Sequence, residues 1–484
     1  MAEYKHGIRV FETDTQLEQP AMGYAGLQVV VGTAPINLAK NPRAVTNKLI
    51  LCRDFDSAKN DLGFSESYKD YTLCQSMHAS FRLSAVAPVV FINVLDPAKH
   101  KSNMPEKTVS VVNKRAVLNE KDILLDTLVV KAGSDTLANS TDYVAVFAED
   151  GTVIITLIPG SAHDTATELK ITADKINPAA VTVSDIVGGY DAVHGKETGI
   201  ELVRRVFPTF GIVPGLLLAP GWSHDKTVAA ALQGKCEKIN GKFRSMCLID
   251  ISTVTAAKYT DVGRAKEQMG ATSKYAVCFY PAAKTGGKVV ALSAIAGAMC
   301  SKLDIENNDI PVKSISNKIV NIDSACLADG TEVMFDEIEG NIINAEGVVT
   351  VINQVGLRLW GNDTAAYPGT ADPKDRWISV RRMFNWYENG FITRFLDRVD
   401  EPANYKMIES FIDSENIAGN ALVADDKLAG AKFEFNPEDN PVSQILNGEI
   451  KFKEKIAPYI PGQYIENTFS FDPRMIEQAI GGGE

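Results

Sequence analysis

The chain has 484 residues, of which 45% are hydrophobic and 23% are charged, and its formal net charge is -12. This length exceeds one ordinary hydrophobic core, so roughly two to four domains are expected. The spread of lysines and arginines argues against a nucleic-acid groove, which needs a basic face. No apolar run is long enough to span a membrane, and the opening M-A-E-Y-K-H lacks the apolar stretch of a signal peptide, so we expect maturation in a cytoplasm.

Near the start of the chain, residues 7–12 (G-I-R-V-F-E) predict a short alternating strand. Residues 13–19 are polar, and we interpret residues 1–22 as an N-terminal arm. Residues 23–104 then open an α/β domain. Its apolar runs 26–35 and 88–95 predict buried strands, and residues 68–84 have the apolar spacing of a helix.

The pattern changes over residues 105–192. About six short runs rich in Val, Thr and Ile are separated by polar turns, and helical periodicity is absent. These runs predict a small β-sandwich domain that is inserted into the α/β domain.

Strand and helix alternate again over residues 193–365, which predicts a mostly parallel sheet with covering helices. The predicted strands are 215–219, 246–251, 275–280 and a pair within 347–360. The predicted helices are 226–239, 254–268 and 289–303.

Residues 366–462 are predicted to form an α+β domain. Helical spacing covers residues 377–395 and 404–428, and an apolar run at 432–435 follows them. Over residues 449–456, Ile450, Phe452 and Ile456 share one strand face with Glu454, while three lysines line the other face.

Residues 463–484 are interpreted as a C-terminal arm. In the run Y-I-E-N-T-F-S-F-D, Ile465, Phe469 and Phe471 fall on one side of a predicted strand. A strand with one apolar face needs a sheet to join, and such a run near each end of one chain favours a partner that is another copy of the chain. The alternative is that these strands pair within their own chain.

The seven cysteines are scattered and form no C-x-x-C pair. An odd number without metal-ligand spacing argues against a disulfide framework and against a zinc site. We therefore expect all seven to pack in the core. They are Cys52, Cys74, Cys236, Cys247, Cys278, Cys300 and Cys326.

The sequence lacks the motifs of the common catalytic sites. The Gly-Lys pairs at 195–196 and 287–288 lack the other P-loop residues, and the six histidines show no H-x-x-x-H spacing. Asp250 ends a predicted strand, but no hydrolase serine motif follows it, so we expect it to cap the next helix. The acidic pairs 425–426 and 438–439 are expected to be solvated. We therefore expect no catalytic residue, no cofactor and no metal.

The segment L-R-L-W-G-N-D-T-A, followed after a loop by R-W-I-S-V-R-R-M-F-N-W-Y-E, resembles contractile tail sheath proteins of bacteriophages and of phage-derived injection particles. That family carries an n-G-x-x-x-W-G-a-R-T segment and then a w-x-x-v-n-v-R-R segment. The matching residues are Gly356, Trp360, Gly361, Thr364, Trp377, Val380, Arg381 and Arg382. Asp363 stands where arginine is usual. The resemblance covers nearly the whole chain, including the opening H-G-I-R-V-F-E.

The resemblance implies an α/β sheath core of subtilisin-like fold without a catalytic triad, with the inserted β-sandwich, the C-terminal α+β domain and both arms. It implies a non-enzymatic subunit that forms stacked hexameric rings around an inner tube. A metastable extended lattice would contract and drive the tube through a cell envelope. The implied partners are further copies of the chain, the inner tail tube protein, the baseplate and the tail terminator, without nucleic acid or membrane insertion. The implied location is a virion tail or phage-tail-like particle, which is assembled in the host bacterial cytoplasm.

The resemblance also implies roles for particular residues. Ile8, Val10 and Phe11 would anchor the N-terminal arm, and Ile465, Phe469 and Phe471 the C-terminal arm. The acceptor would be the edge of the sheet that contains Phe433, Phe435, Ile450 and Phe452. Arg381 and Arg382 would hold the interdomain core together or bind a neighbour's carboxylates. Lys427 is the candidate contact with the tube.

Two alternatives from other classes remain open. One is an enzyme, an α/β hydrolase that carries a β-sandwich binding domain, although it would need a clustered nucleophile and base. The other is a cell-surface adhesin or shell-forming protein, against which the expected free cysteines and the absent signal peptide both argue.

Overall fold

The structure is a computed structural model that describes residues 21–193 and 195–480. Its first part supplies five strands and two α-helices. These are β1 (Ala21–Met22), β2 (Gln28–Gly32), β3 (Leu49–Cys52), α1 (Phe55–Leu62), α2 (Leu73–Met77), β4 (Val86–Ala87) and β5 (Val89–Asn93). A π-helical segment, His78–Leu83, directly continues α2. The predicted helix over residues 68–84 therefore begins five residues late, at Leu73.

Residues 101–176 form two antiparallel sheets. Their strands are β6 (Lys101–Ser110), β7 (Arg115–Leu118), β8 (Val129–Ala132), β9 (Asp135–Thr136), β10 (Tyr143–Phe147), β11 (Val153–Leu157) and β12 (Glu168–Ile176). The strand orders are β6-β12-β8-β9 and β10-β11-β7. Alternate side chains of β11 and β12 point into a separate hydrophobic core that includes Met104, Ile155 and Ile171.

Residues 183–360 complete the α/β part. Its elements are α3 (Val183–Val187), β13 (Gly189–Asp191), β14 (Lys196–Thr198), α4 (Val206–Phe210), β15 (Leu216–Leu218), α5 (Lys226–Glu237), β16 (Met246–Asp250), α6 (Val262–Met269), β17 (Ala276–Phe279), β18 (Ala282–Thr285), β19 (Lys288–Val290), α7 (Leu292–Glu306), β20 (Ser324–Cys326), β21 (Glu332–Val333), α8 (Glu337–Ala345), β22 (Val348–Asn353) and β23 (Leu357–Trp360).

An eight-stranded sheet forms the centre of this part, in the order β23-β22-β17-β16-β15-β2-β5-β3. The six inner strands are parallel, and the two outer strands, β23 and β3, are antiparallel to their neighbours. The inner strands are continuous apolar runs because helices cover both faces of a parallel sheet. The prediction of a mostly parallel sheet is confirmed.

Helix α7 packs closely on this sheet because its contact face is built from small residues. A Cβ added to Gly297 would lie 2.8 Å from Leu218 Cδ2. At the start of α7, Ser293 donates to Asp250 from its backbone N–H (2.9 Å) and its hydroxyl (2.6 Å). Asp250 thus caps a helix, as expected, but this helix is α7 rather than α6, the next one along the chain.

Residues 373–480 contain α9 (Pro373–Arg376), α10 (Ile378–Phe395), α11 (Tyr405–Ala424), β24 (Leu428–Glu434), α12 (Val442–Ile445), β25 (Lys453–Pro458) and α13 (Pro473–Ile480). Strands β24 and β25 form a two-stranded antiparallel sheet. Arg394 of α10 donates two hydrogen bonds, 2.9 and 2.8 Å long, to the buried Glu415 of α11. This ion pair links the two long helices, α10 and α11.

Three further predicted elements differ from the structure. The helix predicted over 254–268 begins at Val262, because residues 252–256 form a turn in which Thr255 Oγ1 donates to the Ser252 carbonyl. The strand predicted over 449–456 begins at Lys453. The strand predicted over 464–472 is wrong for the single chain, since these residues form no strand, and α13 follows them.

Candidate assembly surface

The sheet of β24 and β25 carries an unpaired edge. The side-chain amide of Asn416 on α11 donates to the Phe433 carbonyl (3.0 Å) and accepts from the Phe433 N–H (3.0 Å). The backbone groups of Phe433 therefore point away from β25, so Phe433 and Glu454, which face each other, form a non-hydrogen-bonded pair. It follows that Glu454 and, two residues on, Ile456 direct their N–H and C=O groups to the outer side of β25.

No other strand among the described residues pairs with this outer side of β25. An open row of backbone donors and acceptors is a template for a further strand. The opposite edge of the sheet, along β24, is partly covered by the Asn416 side chain. The outer side of β25 is therefore the better candidate for receiving another chain.

The predicted acceptor residues lie together in a cluster of phenylalanines beneath the sheet. The Phe433 and Phe452 rings stack with centroids 5.0 Å apart, and Phe435 lies 5.8 Å from Phe452. Phe411 of α11 lies 5.5 Å from Phe452. Only Phe433 lies within a strand, while Phe435, Ile450 and Phe452 flank the two strands. The structure thus brings the four predicted residues together, although three of them lie outside the strands.

A groove of about 830 Å³ opens beside this cluster. It runs between the end of α10, the start of α11 and the start of β25, and Ile450 and Phe452 form part of its wall. The exposed Leu396 and Val399 form its rim. The lining combines exposed apolar side chains with charged ones such as Lys242 and Glu401, and its apolar part marks a candidate interaction surface.

Glu454 is the acidic side chain on the otherwise apolar face of β25. Burial, together with the nearby Glu415 carboxylate, raises the pKa of Glu454 to about 7. Arg394, which pairs with Glu415, partly offsets this effect. The sequence already placed Glu454 on this face, but its acidic neighbour on α11 is visible only in the fold.

The C-terminal arm has the exposed apolar side chains that the sequence predicted. Ile465, Phe469 and Phe471 are 87%, 89% and 78% exposed. They lie in residues 459–472, which pair with no strand of the described chain. Pairing of this segment within its own chain, the alternative left open by the sequence, is therefore not found here. Ile8, Val10 and Phe11 of the N-terminal arm lie outside the described residues.

The sequence motif residues form a supporting structure beneath the arm. The Trp360 indole N–H donates to Asn341 Oδ1 (3.0 Å), and Thr364 Oγ1 donates to the Asp375 carbonyl (2.6 Å). Gly361 has φ +135°, and a Cβ there would lie 3.1 Å from Val349 Cα, so both its backbone angle and its surroundings require glycine. Gly356, with φ +108°, lies in the turn that joins β22 to β23.

Asp363, which replaces the usual arginine, is buried and paired. Arg376 donates from Nε to Asp363 Oδ1 (2.6 Å), and its guanidinium lies between the rings of Tyr367 and Trp377, 4.4 and 4.2 Å from their centroids. Burial raises the pKa of Asp363. Arg376 also donates from Nη2 to Gln463 Oε1 (3.3 Å), so this pair holds the first residues of the arm. The sequence did not indicate this role for Arg376.

The two motif arginines bind carboxylates of their own chain. The side chains of Arg382 on α10 and Asp304 on α7 are 4% and 1% exposed. Arg382 donates to Asp304 from both terminal nitrogens, with one distance of 3.0 Å. Arg381 bonds Asn385 (3.0 Å) and Glu388 (3.1 Å). These contacts support the role of the two arginines in holding the core together, rather than a role in binding a neighbour's carboxylates. Lys427 is half-buried, and its contact with the tube stays a prediction.

The remaining candidates for chemistry are placed in structural roles. All seven cysteines are buried and free, so the prediction that they pack in the core is confirmed. Across residues 21–193 and 195–480 there is no cluster of His, Cys, Asp and Glu that could hold a metal ion. In the same residues, none of the helices has the length and apolar character needed to cross a membrane.

Comparison with known proteins identifies relatives of one kind. The chain is 28% identical over 475 residues to the tail sheath protein of Burkholderia phage BcepMu, covering 94% of this chain and 95% of the relative. It is 23% identical over 339 residues to the tail sheath protein of Escherichia phage P2, covering 70% of this chain and 81% of the relative. No family model matches the chain.

Solved structures give the same result for the fold. The chain matches a structure of the anti-feeding prophage baseplate with a TM-score of 0.60 and 14% identity, covering 97% of this chain and 100% of the other. It matches the sheath complex of the PVC extracellular contractile injection system, in the contracted state, with a TM-score of 0.57 and 14% identity, covering 98% and 99%. The fold is a mixed α/β multidomain fold similar to that of tail sheath proteins, and the resemblance indicated by the sequence is confirmed.

Proposed function

We propose that this chain is the structural subunit of a contractile tail sheath. The observation that carries the proposal is the combination of an unpaired strand edge on β25 with an arm whose Phe469 and Phe471 are exposed. An edge and an arm that do not meet in one chain can meet between two copies. Because donor and acceptor are different surfaces, the contact is heterologous and continues from subunit to subunit.

In this proposal, residues 464–472 add to the outer side of β25 in a neighbouring subunit. The backbone of Glu454 and Ile456 supplies the acceptor hydrogen bonds, and Ile465, Phe469 and Phe471 pack over the phenylalanine cluster. Ile8, Val10 and Phe11 anchor the N-terminal arm to the same region of another subunit. Arms of this kind keep subunits connected while the bodies of the subunits change their contacts.

Contraction then follows from the energy stored in the extended lattice. The subunits form stacked hexameric rings around an inner tube, and the contracted lattice buries more apolar surface between subunits. A few hundred additional Å² per subunit, at about 25 cal/mol per Å², would release several kcal/mol per subunit without nucleotide hydrolysis. Summed over a long sheath, this energy would drive the tube through a cell envelope.

The partners follow from this arrangement. They are other copies of the chain, the inner tail tube protein, the baseplate and the tail terminator, in a virion tail or phage-tail-like particle assembled in the host cytoplasm. We place the tube contact near Lys427, at the end of α11. With a net charge of -12, no nucleic-acid contact is part of the proposal.

The domain division is also part of the proposal. We assign residues 1–22 to the N-terminal arm, 23–104 and 193–365 to the sheath core, 105–192 to the inserted β-sandwich, 366–462 to the C-terminal α+β domain and 463–484 to the C-terminal arm. The separate hydrophobic core around Met104 and Ile155 supports the insertion. The parallel central sheet agrees with a subtilisin-like core that has no catalytic role.

The alternative of an α/β hydrolase has a specific weakness in the structure. Asp250, the strand-end carboxylate that such an enzyme would use, accepts hydrogen bonds from the Ser223 hydroxyl (2.9 Å) and from the N–H and hydroxyl of Ser293 at the start of α7 (2.9 and 2.6 Å). Burial raises the pKa of Asp250, but among the described residues no histidine donates a hydrogen bond to it. A base–nucleophile pair therefore has no support at this position.

The test is electron microscopy of the purified full chain beside a version that lacks residues 1–19 and a version that lacks residues 463–484. We expect long hollow tubes from the full chain and discrete particles from both truncated versions. Discrete particles from all three would contradict self-sufficient polymerisation. Tubes from all three would contradict the role of the arms.

A further inference from the structure

The helix α13, which follows the arm strand, has an apolar face without a partner. Met475, Ile476 and Ile480 lie on one side of its eight residues, and no residue of the helix is buried. Met475 and Ile480 are 70% and 82% exposed. An isolated helix of two turns is marginal in water, so its stability has to come from packing this face against another surface.

The groove beside the phenylalanine cluster has the complementary character. It is open, about 830 Å³ in volume, and bordered by Phe395, Leu396, Val399 and Met407. No described residue of the arm lines it. In its own chain the arm leaves from Pro458, at the far end of β25 from Phe452, and Gln463 is held by Arg376 next to the motif.

Strand direction links the two surfaces. If residues 464–472 add antiparallel to β25 of a neighbour, the arm runs from the Pro458 end of β25 towards Lys453. The arm strand then ends beside Phe452 and the groove, and Pro473 starts α13 at that point. A parallel addition would end the arm strand near Pro458 and place the helix away from the groove. Gln463 stays with its own subunit through Arg376, and the nine residues 464–472 span up to about 30 Å when extended. The neighbour's β25 therefore has to lie close to the motif region of the subunit that donates the arm.

We infer that α13 of one subunit docks Met475, Ile476 and Ile480 into the groove of the subunit whose β25 edge receives the same arm. This inference rests on the proposed function, since it requires the arm to join a second copy of the chain. The strand supplies backbone hydrogen bonds that are largely independent of sequence, while the helix in its groove fixes direction and register.

The first test is cross-linking between two variants that each carry one added, exposed cysteine. Ile476→Cys places a thiol on α13, and Leu396→Cys places one on the rim of the groove; the seven native cysteines are buried. The two variants are mixed, allowed to form tubes and treated with a short bis-maleimide. We expect a dimer band in the mixture and none with either variant alone. Control mixtures with Val254→Cys, an exposed position outside the groove, should give no dimer.

A double variant that carries both Ile476→Cys and Leu396→Cys is treated in the same way. A cross-link within its chain, without one in the mixture, would mean that α13 occupies its own groove and would overturn the inference. Tubes that form without any cross-link would mean that another segment, such as residues 1–20 of a neighbour, occupies the groove, and would also overturn it. In both cases the proposed function stands if tubes form. Failure of the parent chain to form tubes contradicts the proposed function itself.

The second test changes the apolar face while keeping helix propensity. Met475→Glu/Ile480→Glu should raise the concentration needed for tube formation at least tenfold. The matched control, Glu477→Gln on the polar side of the same helix, should leave it unchanged. Equal tube formation by the two variants would overturn the inference.

Discussion

The buried pair of Arg382 and Asp304 provides the sharpest test of how the C-terminal helices are attached to the α/β core. Arg382 lies on α10 and Asp304 near the end of α7, and both side chains are almost completely buried. Replacing Arg382 by Met keeps most of the side-chain volume but leaves the Asp304 carboxylate without its partner. Removing one partner of a buried pair costs about 3 to 5 kcal/mol.

The effect of Arg382→Met should depend on pH. Burial already raises the pKa of Asp304, and Arg382 counteracts this rise. Without the arginine, the pKa of Asp304 in the folded state rises further above its unfolded value. The variant is therefore most stable at low pH, where Asp304 is protonated. It loses this stability as the pH rises through the folded-state pKa of Asp304. The destabilisation should therefore be larger at pH 8 than at pH 5.

The measurement is urea unfolding followed by tryptophan fluorescence, below the concentration at which tubes form. The double variant Arg382→Met/Asp304→Leu removes both charges and should regain most of the lost stability, because a matched apolar pair replaces a buried ion pair with little cost. Arg381→Met is a comparison at the adjacent position. A loss below about 1 kcal/mol for Arg382→Met at pH 8, or equal losses in the single and double variants, would refute the reasoning.

Three further predictions concern the assembly surface and the motif. Glu454→Gln should stabilise the protein by about 1 to 2 kcal/mol at pH 8 and have little effect at pH 5. The reason is that the raised pKa of Glu454 makes the parent lose stability between about pH 4.5 and 7, and thermal unfolding at both pH values measures the difference. Gly361→Ala should lower the free energy of unfolding by about 2 to 4 kcal/mol, because Gly361 has a positive φ and a Cβ there would meet nearby backbone. Gly234→Ala, in a helix with open space around it, should be neutral or stabilising, and a similar loss of stability for both variants would contradict this reasoning. Phe469→Ala/Phe471→Ala should raise the critical concentration for tubes about a hundredfold without changing the melting temperature of the monomer, and light scattering against concentration would reveal an unchanged threshold if the arm is not used.

The central sheet could be predicted from the sequence because parallel strands are buried on both faces. The runs at 215–219, 246–251 and 275–280 are almost uniformly apolar, and each forms a strand of that sheet. The β-structure of residues 101–176 could be predicted for the complementary reason, since its alternation with short turns has no helical periodicity. Helix starts were less predictable: Val254 is exposed in a turn, and the apolar spacing becomes helical only from Val262.

The helix α13 was missed although the sequence contains a start signal for it. Asp472 precedes Pro473, and its side chain accepts a hydrogen bond from the Arg474 backbone N–H (3.0 Å), which is the pattern of a helix N-terminus. The roles of Arg376 and Asn416 could not be found in this way. Each depends on residues far away in the sequence, Gln463 and Phe433, which only the fold brings close.

The C-terminal arm shows why alternation alone does not define a strand. Residues 464–472 have the side-chain pattern of a strand with one apolar face, and in the single chain they form none. The alternation shows that one side of the segment is suited to burial. A strand, however, forms only where a second backbone supplies hydrogen bonds. In this chain the missing backbone groups are present on the outer side of β25, but the arm continues from Pro458 to the motif region, where Arg376 holds Gln463. The arm therefore suits the outer side of β25 but does not pair with it in its own chain, which favours pairing between subunits. If the arm paired with β25 of its own chain, that strand edge would be occupied and no further subunit could add there.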